Sequence, residues 1–167
     1  TAYSYTQLQH QDVLFDQNAI QVDRHVYIGY EIATYVDLNG KLAPRIIGDV
    51  GTSGSGVDFY LINETSWNTW STNPASRSAV STVHLNATAV SSQSTEGRFS
   101  FIPPASSSYS VVFVNDAYPN ANNASVHATI TLQYISLNSL YGLAAGLVML
   151  GIGLVLLATK TRTRAQQ

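Results

Sequence analysis

A long uncharged segment near the C-terminus constrains this chain more than any other feature. Residues 137–159 contain no charged side chain, and most of them are Leu, Val, Ile, Ala or Gly. A helix needs about 20 apolar residues to cross about 30 Å of hydrocarbon. The alternative is a buried core helix, but a small domain cannot cover so long an apolar segment. The segment therefore predicts one transmembrane helix over 137–159, with Tyr141 at the outer interface, where its hydroxyl stays hydrated.

Charges on the two sides of this segment predict its orientation. The residues that follow it directly are basic: Lys160, Arg162 and Arg164. Positive charge marks the cytoplasmic side of a membrane helix, so residues 160–167 are predicted to form a short cytoplasmic tail. Residues 1–136 would lie outside, with ten acidic and five basic residues. We interpret Thr1 as the terminus left by cleavage of a leader peptide, since a secreted precursor begins with a basic and apolar segment.

The composition excludes several classes of function. The 167-residue chain is 45% hydrophobic and 11% charged, with net charge −2, which argues against a nucleic-acid partner. It has no cysteine, which excludes disulfides, thiol nucleophiles and cysteine-ligated metals. Three Asn-x-Ser/Thr sequons are predicted to carry N-linked glycans: Asn63, Asn86 and Asn123. Sequons without cysteine, together with only two lysines, favour an archaeal cell surface.

The part of the chain before the apolar segment is typical of β-structure. The clearest alternation of apolar and polar residues lies at 126–134. Further strands are expected at 26–36, 42–50, 57–62, 79–85, 98–102 and 109–114. Asn39 and Gly40 predict a tight hairpin turn between the first two of these, and 51–56 is predicted to be a flexible loop. No window here has the 3.6-residue period of a helix.

These strands predict the fold and the domain limits. About seven to nine strands with Gly, Pro, Asn and Ser turns indicate an all-β, antiparallel β-sandwich of jelly-roll type. We assign residues 1–19 to an N-terminal arm and 20–136 to the external sandwich. Because the last strand ends a few residues before the helix, we expect the sandwich to stand close to the bilayer.

Three segments resemble a known family. Gly56-Val-Asp58-Phe-Tyr60-Leu-Ile-Asn63 is similar to a strand of emp24/GOLD-like and bacterial pre-peptidase-type jelly-roll domains. Residues 97–103 and 109–115 are similar to the hairpin that follows it there. The resemblance implies a non-catalytic sandwich that binds or supports partners, before a single C-terminal membrane helix. The disulfide and coiled coil of true emp24 proteins are missing, so their cargo-receptor function is not implied.

Titratable side chains show no pattern typical of catalysis. No two histidines share a short metal-ligand spacing, so all four are interpreted as surface or structural residues: His10, His25, His84 and His127. Asp49 precedes Val-Gly-Thr, which resembles an aspartic-protease turn but has no second copy. A loop of oxygen ligands is either a weak calcium site or solvated turn chemistry: Asp116, Asn120, Asn122 and Asn123. We expect no enzyme activity, no cofactor and no metal ion.

Two features are candidate contact surfaces. Trp67 and Trp70 lie in an otherwise polar segment, where they either cap the core or form a docking surface for protein, glycan or lipid headgroups. Aromatic residues of the arm are candidate partners of that surface: Tyr3 and Tyr5. Three glycines lie on one side of the predicted membrane helix and predict close packing against another helix: Gly142, Gly146 and Gly153.

Together these features favour a non-catalytic, single-pass membrane glycoprotein with its N-terminus outside. In this hypothesis it is an accessory or structural subunit of a larger membrane or cell-envelope assembly. Its expected partners are the lipid bilayer, N-linked glycans, and a membrane protein or a second copy of itself. Two alternatives stay open: a surface-binding module for a glycan or protein ligand, and an envelope glycoprotein of an archaeal virus.

Overall fold

The computed structural model describes residues 9–24, 26–31, 36–91, 97–116 and 122–164, which form eight strands and three α-helices. The strands are β1 (Gln9–Val22), β2 (Tyr27–Glu31), β3 (Lys41–Gly54), β4 (Asp58–Asn63), β5 (Val83–Leu85), β6 (Arg98–Phe101), β7 (Tyr109–Val114) and β8 (Ala124–Ser136). The helices are α1 (Trp67–Thr72), α2 (Arg77–Val80) and α3 (Leu137–Arg164), and short 3₁₀ turns lie at Glu64–Ser66 and Pro74–Ser76.

The strands form two four-stranded sheets. The first sheet has the order β1-β8-β3-β6, and the second sheet has the order β2-β7-β4-β5. Every strand pair is antiparallel. The predicted antiparallel β-sheets and the C-terminal apolar helix are therefore confirmed, whereas the all-β prediction missed α1 and α2. We refer to the two sheets and their connections as the two-sheet domain.

Both sheets contribute to one hydrophobic core. Ile46 and Ile130 enter it from the first sheet, and Phe59 and Phe113 enter it from the second. The Phe59 ring lies 5.6 Å from Phe113 and 5.3 Å from Phe99, centroid to centroid. Burying a side chain of this size contributes about 1.5–3 kcal/mol. The alternation predicted for 126–134 places the apolar residues of β8 in this core and its polar residues outside.

Two predicted hairpins are wrong, because each turn joins different sheets. At Asn39–Gly40 the Lys41 amide donates to the Leu38 carbonyl at 3.1 Å, and Gly40 has a φ of 68°. This turn leads from the part of the chain that contains β2, in the second sheet, to β3, in the first. Likewise β6 pairs with β3, whereas β7 pairs with β2 and β4, so the segments at 97–103 and 109–115 form no hairpin.

Several predicted boundaries also need correction. The arm over 1–19 is wrong for residues 9–19, because β1 begins at Gln9 and pairs with β8. Residues 51–54 are not a loop, since they complete β3 opposite β8. The strand expected at 79–85 is α2 followed by the short β5. The C-terminal helix begins at Leu137 as predicted but continues to Arg164, through most of the residues assigned to the tail.

Candidate functional site

The junction between the two-sheet domain and α3 has no linker. β8 ends at Ser136 and α3 begins at Leu137. The Leu137 amide donates to the carbonyl of Gly40, in the turn before β3, at 3.0 Å. The His10 Nε2 and Ser139 Oγ atoms lie 3.0 Å apart, which connects β1 to the first turn of the helix. The helix is therefore held by β1 and by the turn before β3, besides the strand that leads into it.

A polar cluster around Tyr134 reinforces this junction. The Tyr134 hydroxyl donates to Asp12 at 3.2 Å, and the Lys41 Nζ donates to the same carboxylate at 3.0 Å. The Lys41 Nζ also lies 4.5 Å from the Tyr134 ring centroid, and the His10 ring stacks on Tyr134 at 5.6 Å. Desolvation raises the pKa of Tyr134, with a further contribution from Asp12. We call His10, Asp12, Lys41, Tyr134 and Ser139 the junction cluster.

Helix α3 has the length and composition of a membrane span. At about 1.5 Å per residue its 28 residues extend about 42 Å. Its apolar part, Leu137–Leu157, is not buried against any described part of the chain. A Cβ atom added at Gly142, Gly146 or Gly153 would have no described atom within 4 Å, apart from the backbone of the helix itself. The described part of the chain thus makes no contact with the predicted helix-packing surface at these glycines.

The two tryptophans lie on the outer face of the second sheet. Both are in α1, where their rings stack with centroids 5.6 Å apart. Trp70 is only 1% exposed and packs with Tyr60, Ile62 and Val112 in a second apolar cluster. Trp70 is therefore a packing residue, and its prediction as a docking residue is wrong. Trp67 is half-buried, and a docking role for it stays a prediction.

Charged and aromatic side chains surround Trp70 on this face. The Arg77 guanidinium carbon lies 4.5 Å from the Trp70 ring centroid, and the Tyr60 ring meets Trp70 edge-on at 5.3 Å. On its other side Tyr60 stacks on His84 at 4.6 Å, and His84 Nε2 lies 3.7 Å from Asp58. Burial raises the pKa of Tyr60. These contacts account for His84 as a structural residue of the second sheet.

A shallow groove of about 310 Å³ lies on the outer face of the first sheet. Its side chains include amides, hydroxyls and one ion pair: Gln11, Asp49, Arg98, Thr129, Thr131 and Gln133. The Arg98 Nε donates to Asp49 at 2.7 Å, so the two charges compensate each other. This pairing gives Asp49 a surface role on the sheet and does not resemble the facing carboxylates of an aspartic protease.

Two of the three sequons have the same local geometry. The Thr65 hydroxyl donates to Oδ1 of Asn63 at 3.0 Å. In the same way the Thr88 hydroxyl donates to Oδ1 of Asn86 at 3.0 Å. Each asparagine accepts this bond through its oxygen, which leaves its Nδ2, the atom that a glycan would modify, directed away from the bond. Asn86 is exposed and Asn63 is half-buried.

The third sequon and the oxygen-rich loop are arranged differently. Oδ1 of Asn123 accepts from the Arg24 amide at 3.3 Å and not from Ser125. The Asn122 backbone amide donates to the Ser55 hydroxyl at 2.8 Å, which joins this loop to the segment after β3. Within the described ranges, no three His, Cys, Asp or Glu side chains group to hold a metal ion. The predicted positions Tyr3, Tyr5, His25 and Asn120 lie outside the described residues.

A buried asparagine that the sequence analysis did not single out organises the far end of the two-sheet domain. Asn115 directly follows β7, and its Nδ2 donates to the carbonyls of Val22 and Asn122, at 3.0 Å each. The backbone amide of Asn115 donates to the Val26 carbonyl at 3.2 Å. Asn115 thus joins the end of β7 to the end of β1, to the residue before β2 and to the segment before β8. The signal in the sequence is an asparagine that ends a continuous apolar strand.

Comparisons with known proteins add no assignment to these sites. No protein-family model matches the chain, and no curated protein matches it.

Proposed function

We propose that the chain is a non-catalytic, single-pass membrane glycoprotein that serves as an accessory subunit of a larger membrane or cell-envelope assembly. The observation that carries this proposal is the direct passage of β8 into an apolar helix that the rest of the described chain leaves uncovered. A soluble domain would cover such a helix, because about 20 exposed apolar residues are costly in water.

The strand order supports a jelly-roll sandwich as the external domain. The orders β1-β8-β3-β6 and β2-β7-β4-β5 place strands 1, 3, 6 and 8 in one sheet and the rest in the other. Consecutive strands therefore pair with each other in only one case, β4 with β5. Long connections that cross between two four-stranded sheets are typical of the jelly roll. This topology is compatible with the family resemblance, although the hairpin that the resemblance implied does not form.

The charge pattern supports an external domain and a cytoplasmic C-terminus. Three basic residues end α3, while the span before them is uncharged. In this orientation all three sequons lie outside. The hydrogen bonds from the sequon threonines to Asn63 and Asn86 favour these two positions for glycosylation. Asn123 is less favoured, because the hydroxyl of its sequon serine, Ser125, is bonded to Gln21. An archaeal surface, favoured by the composition, is part of the same proposal.

The glycine surface of α3 supports a helical partner. Gly142, Gly146 and Gly153 allow a second helix to approach closely, and dispersion and Cα–H contacts depend steeply on that distance. The partner is either another membrane protein or a second copy of the chain.

Substitution of Gly146 tests this function. In mild detergent the wild type is expected to elute in a stoichiometric complex, and Gly146→Ile is expected to elute without its partner. Ala144→Ile, on the opposite side of the helix, is the matched control and should retain it. If Gly146→Ile keeps the same partners in the same ratio as the wild type, α3 is only an anchor and its glycines do not bind the partner. If the wild type itself elutes without a stoichiometric partner, the subunit proposal fails.

The groove on the first sheet favours a second candidate function, a glycan-binding module. Its paired charges and hydrogen-bonding side chains suit a neutral ligand with many hydroxyls. Arg98→Ala should abolish glycan retention on an immobilised oligosaccharide array without changing the melting temperature. Equal retention by wild type and variant would exclude the groove.

A further inference from the structure

We propose that the end of the two-sheet domain next to α3 lies in the headgroup layer of the bilayer. We call this end the proximal rim and define it as residues 37–42 together with residues 103–106. The inference rests on the proposed membrane anchoring of α3 and goes beyond it, because an anchored domain can also stand clear of the lipid.

Hydrogen bonds connect the rim directly to the start of the helix. The Leu137 amide bonds to the Gly40 carbonyl, and the Lys41 amide bonds to Leu38 across the same turn. The Leu38 amide then donates to the Ser106 hydroxyl at 2.9 Å, which holds the second part of the rim against the first. The rim therefore lies at the level of the first turn of α3.

The length of the span fixes how far the rim is from the hydrocarbon. The 21 residues of Leu137–Leu157 extend about 32 Å, close to the hydrocarbon thickness of about 30 Å. The span ends before Lys160, so the helix can move outward by only two or three residues, or about 5 Å. The interfacial layer on each side is about 5–8 Å thick. The turn at Gly40 thus has no position available outside that layer.

The junction cluster prevents the domain from tilting away. It connects β1, β3 and β8 to one another and to the helix through Tyr134, Lys41 and His10. Such contacts are worth about 0.5–1 kcal/mol each, and they act together on one short segment. A flexible linker, which would let the domain swing, is missing between Ser136 and Leu137.

The side chains of the rim suit a zwitterionic interface. Leu42 is apolar and 39% exposed, and Pro104 and Ala105 are exposed in the rim segment 103–106. Lys41 is paired with Asp12 and is offset within the rim by Asp37, so the rim carries no net positive charge. Contact is therefore expected with phosphatidylcholine alone, without anionic lipid.

Site-directed fluorescence quenching tests the proposal, because the chain has no native cysteine. Single-cysteine variants of the full chain are labelled with an environment-sensitive fluorophore and reconstituted in phosphatidylcholine vesicles. The quenchers are lipids spin-labelled either at the headgroup or deep in the acyl chain. Asn39→Cys and Ala105→Cys report on the rim. Val26→Cys, at the far end of the domain, and Val148→Cys, in the middle of the span, are the controls.

The headgroup label should quench the probes at 39 and 105 at least about twofold more than the probe at 26, given the thickness of the interfacial layer. The deep label should quench the probe at 148. If 148 is quenched but 39 and 105 behave like 26, the rim inference is overturned while the anchoring stands. If 148 is not quenched by the deep label, the anchoring itself fails. Because purified chain is used, quenching at the rim cannot come from a partner protein.

Discussion

The buried hydroxyl of Tyr109 is a weak point of the core. The residue is fully buried, its ring meets Phe101 at 5.9 Å, and its hydroxyl has no hydrogen-bond partner within the described chain. An unpaired buried hydroxyl costs about 1–3 kcal/mol. Burial also raises the pKa of Tyr109 above the ordinary value, since the charged phenolate is disfavoured there.

Tyr109→Phe should therefore leave the free energy of unfolding at pH 7 unchanged or raise it by about 1 kcal/mol. Because the pKa of Tyr109 is higher in the folded state than in the unfolded state, the wild type keeps its full free energy of unfolding below pH 10. Part of that free energy is lost as pH rises through the folded pKa. Between pH 10 and 11 the variant should gain up to about 1.4 kcal/mol relative to the wild type. Denaturant titration of the full chain in detergent measures both, with Tyr27→Phe as the exposed control. A variant less stable than wild type at pH 7 would contradict the account.

Asn115 should be the more sensitive polar position. Asn115→Ala removes two hydrogen bonds and leaves the carbonyls of Val22 and Asn122 without them, so a loss of about 1–3 kcal/mol is expected. Asn115→Asp should be no better, because a carboxylate cannot donate. The exposed Asn39→Ala is the control. A melting temperature of Asn115→Ala within error of wild type would show that the far-end loops do not depend on this side chain.

At the residue scale, the sequence shows that Trp67 and Trp70 are unusual but does not by itself show where they pack. The informative signal is elsewhere. The run Val111-Val112-Phe113-Val114 is apolar on both faces, which indicates a strand covered on both sides. Something must therefore cover the outer face of the second sheet, and the segment with two tryptophans does so. The strand pairing is needed to see that the tryptophan segment covers this strand, and no local sequence pattern gives that pairing.

At the scale of elements, side-chain rings from neighbouring strands cover two glycines of β3, one on each face of the first sheet. A Cβ at Gly48 would overlap the Phe99 ring, which stacks on Phe59 in the core. A Cβ at Gly51 would overlap the ring of His127, which is exposed and can rotate away.

Gly48→Ala should therefore cost about 2–3 kcal/mol, since it overpacks the core, while Gly51→Ala should cost less than about 1 kcal/mol. Thermal unfolding of the two variants, compared in the same detergent, checks the difference. His127→Ala combined with Gly51→Ala should recover the residual loss. Equal destabilisation by the two single substitutions would contradict the assignment of Phe99 to the inside and His127 to the outside.

The strands were predictable where a local pattern decides them, and their connections were not. Alternation located β8, and the apolar runs located β4 and β7. The turn at Asn39–Gly40 was also located correctly, but a tight turn has the same local chemistry whether the next strand returns to its own sheet or enters the other one. The helical turns at 64–80 are too short to show a 3.6-residue period.

At the scale of the whole molecule, the topology places several functional features at one end. β1 starts, β3 starts and β8 ends next to α3, so the junction cluster is assembled from residues distant in sequence. None of its contacts could be predicted from spacing, because His10, Lys41 and Tyr134 meet only after the first sheet has formed. The start of α3 and its apolar span, in contrast, follow from composition, although the helix itself continues to Arg164.

The orientation of the chain in its membrane is the central claim, and thiol accessibility tests it most directly. Single cysteines are introduced by Val26→Cys in the two-sheet domain and by Gln166→Cys beyond α3, in a chain without other cysteines. In intact cells a membrane-impermeant maleimide should label the cysteine at 26, and it should label the one at 166 only after permeabilisation. Both proteins should stay with the membrane after an alkaline wash. Labelling of 166 but not 26 in intact cells, or release of the protein by the wash, would contradict the account.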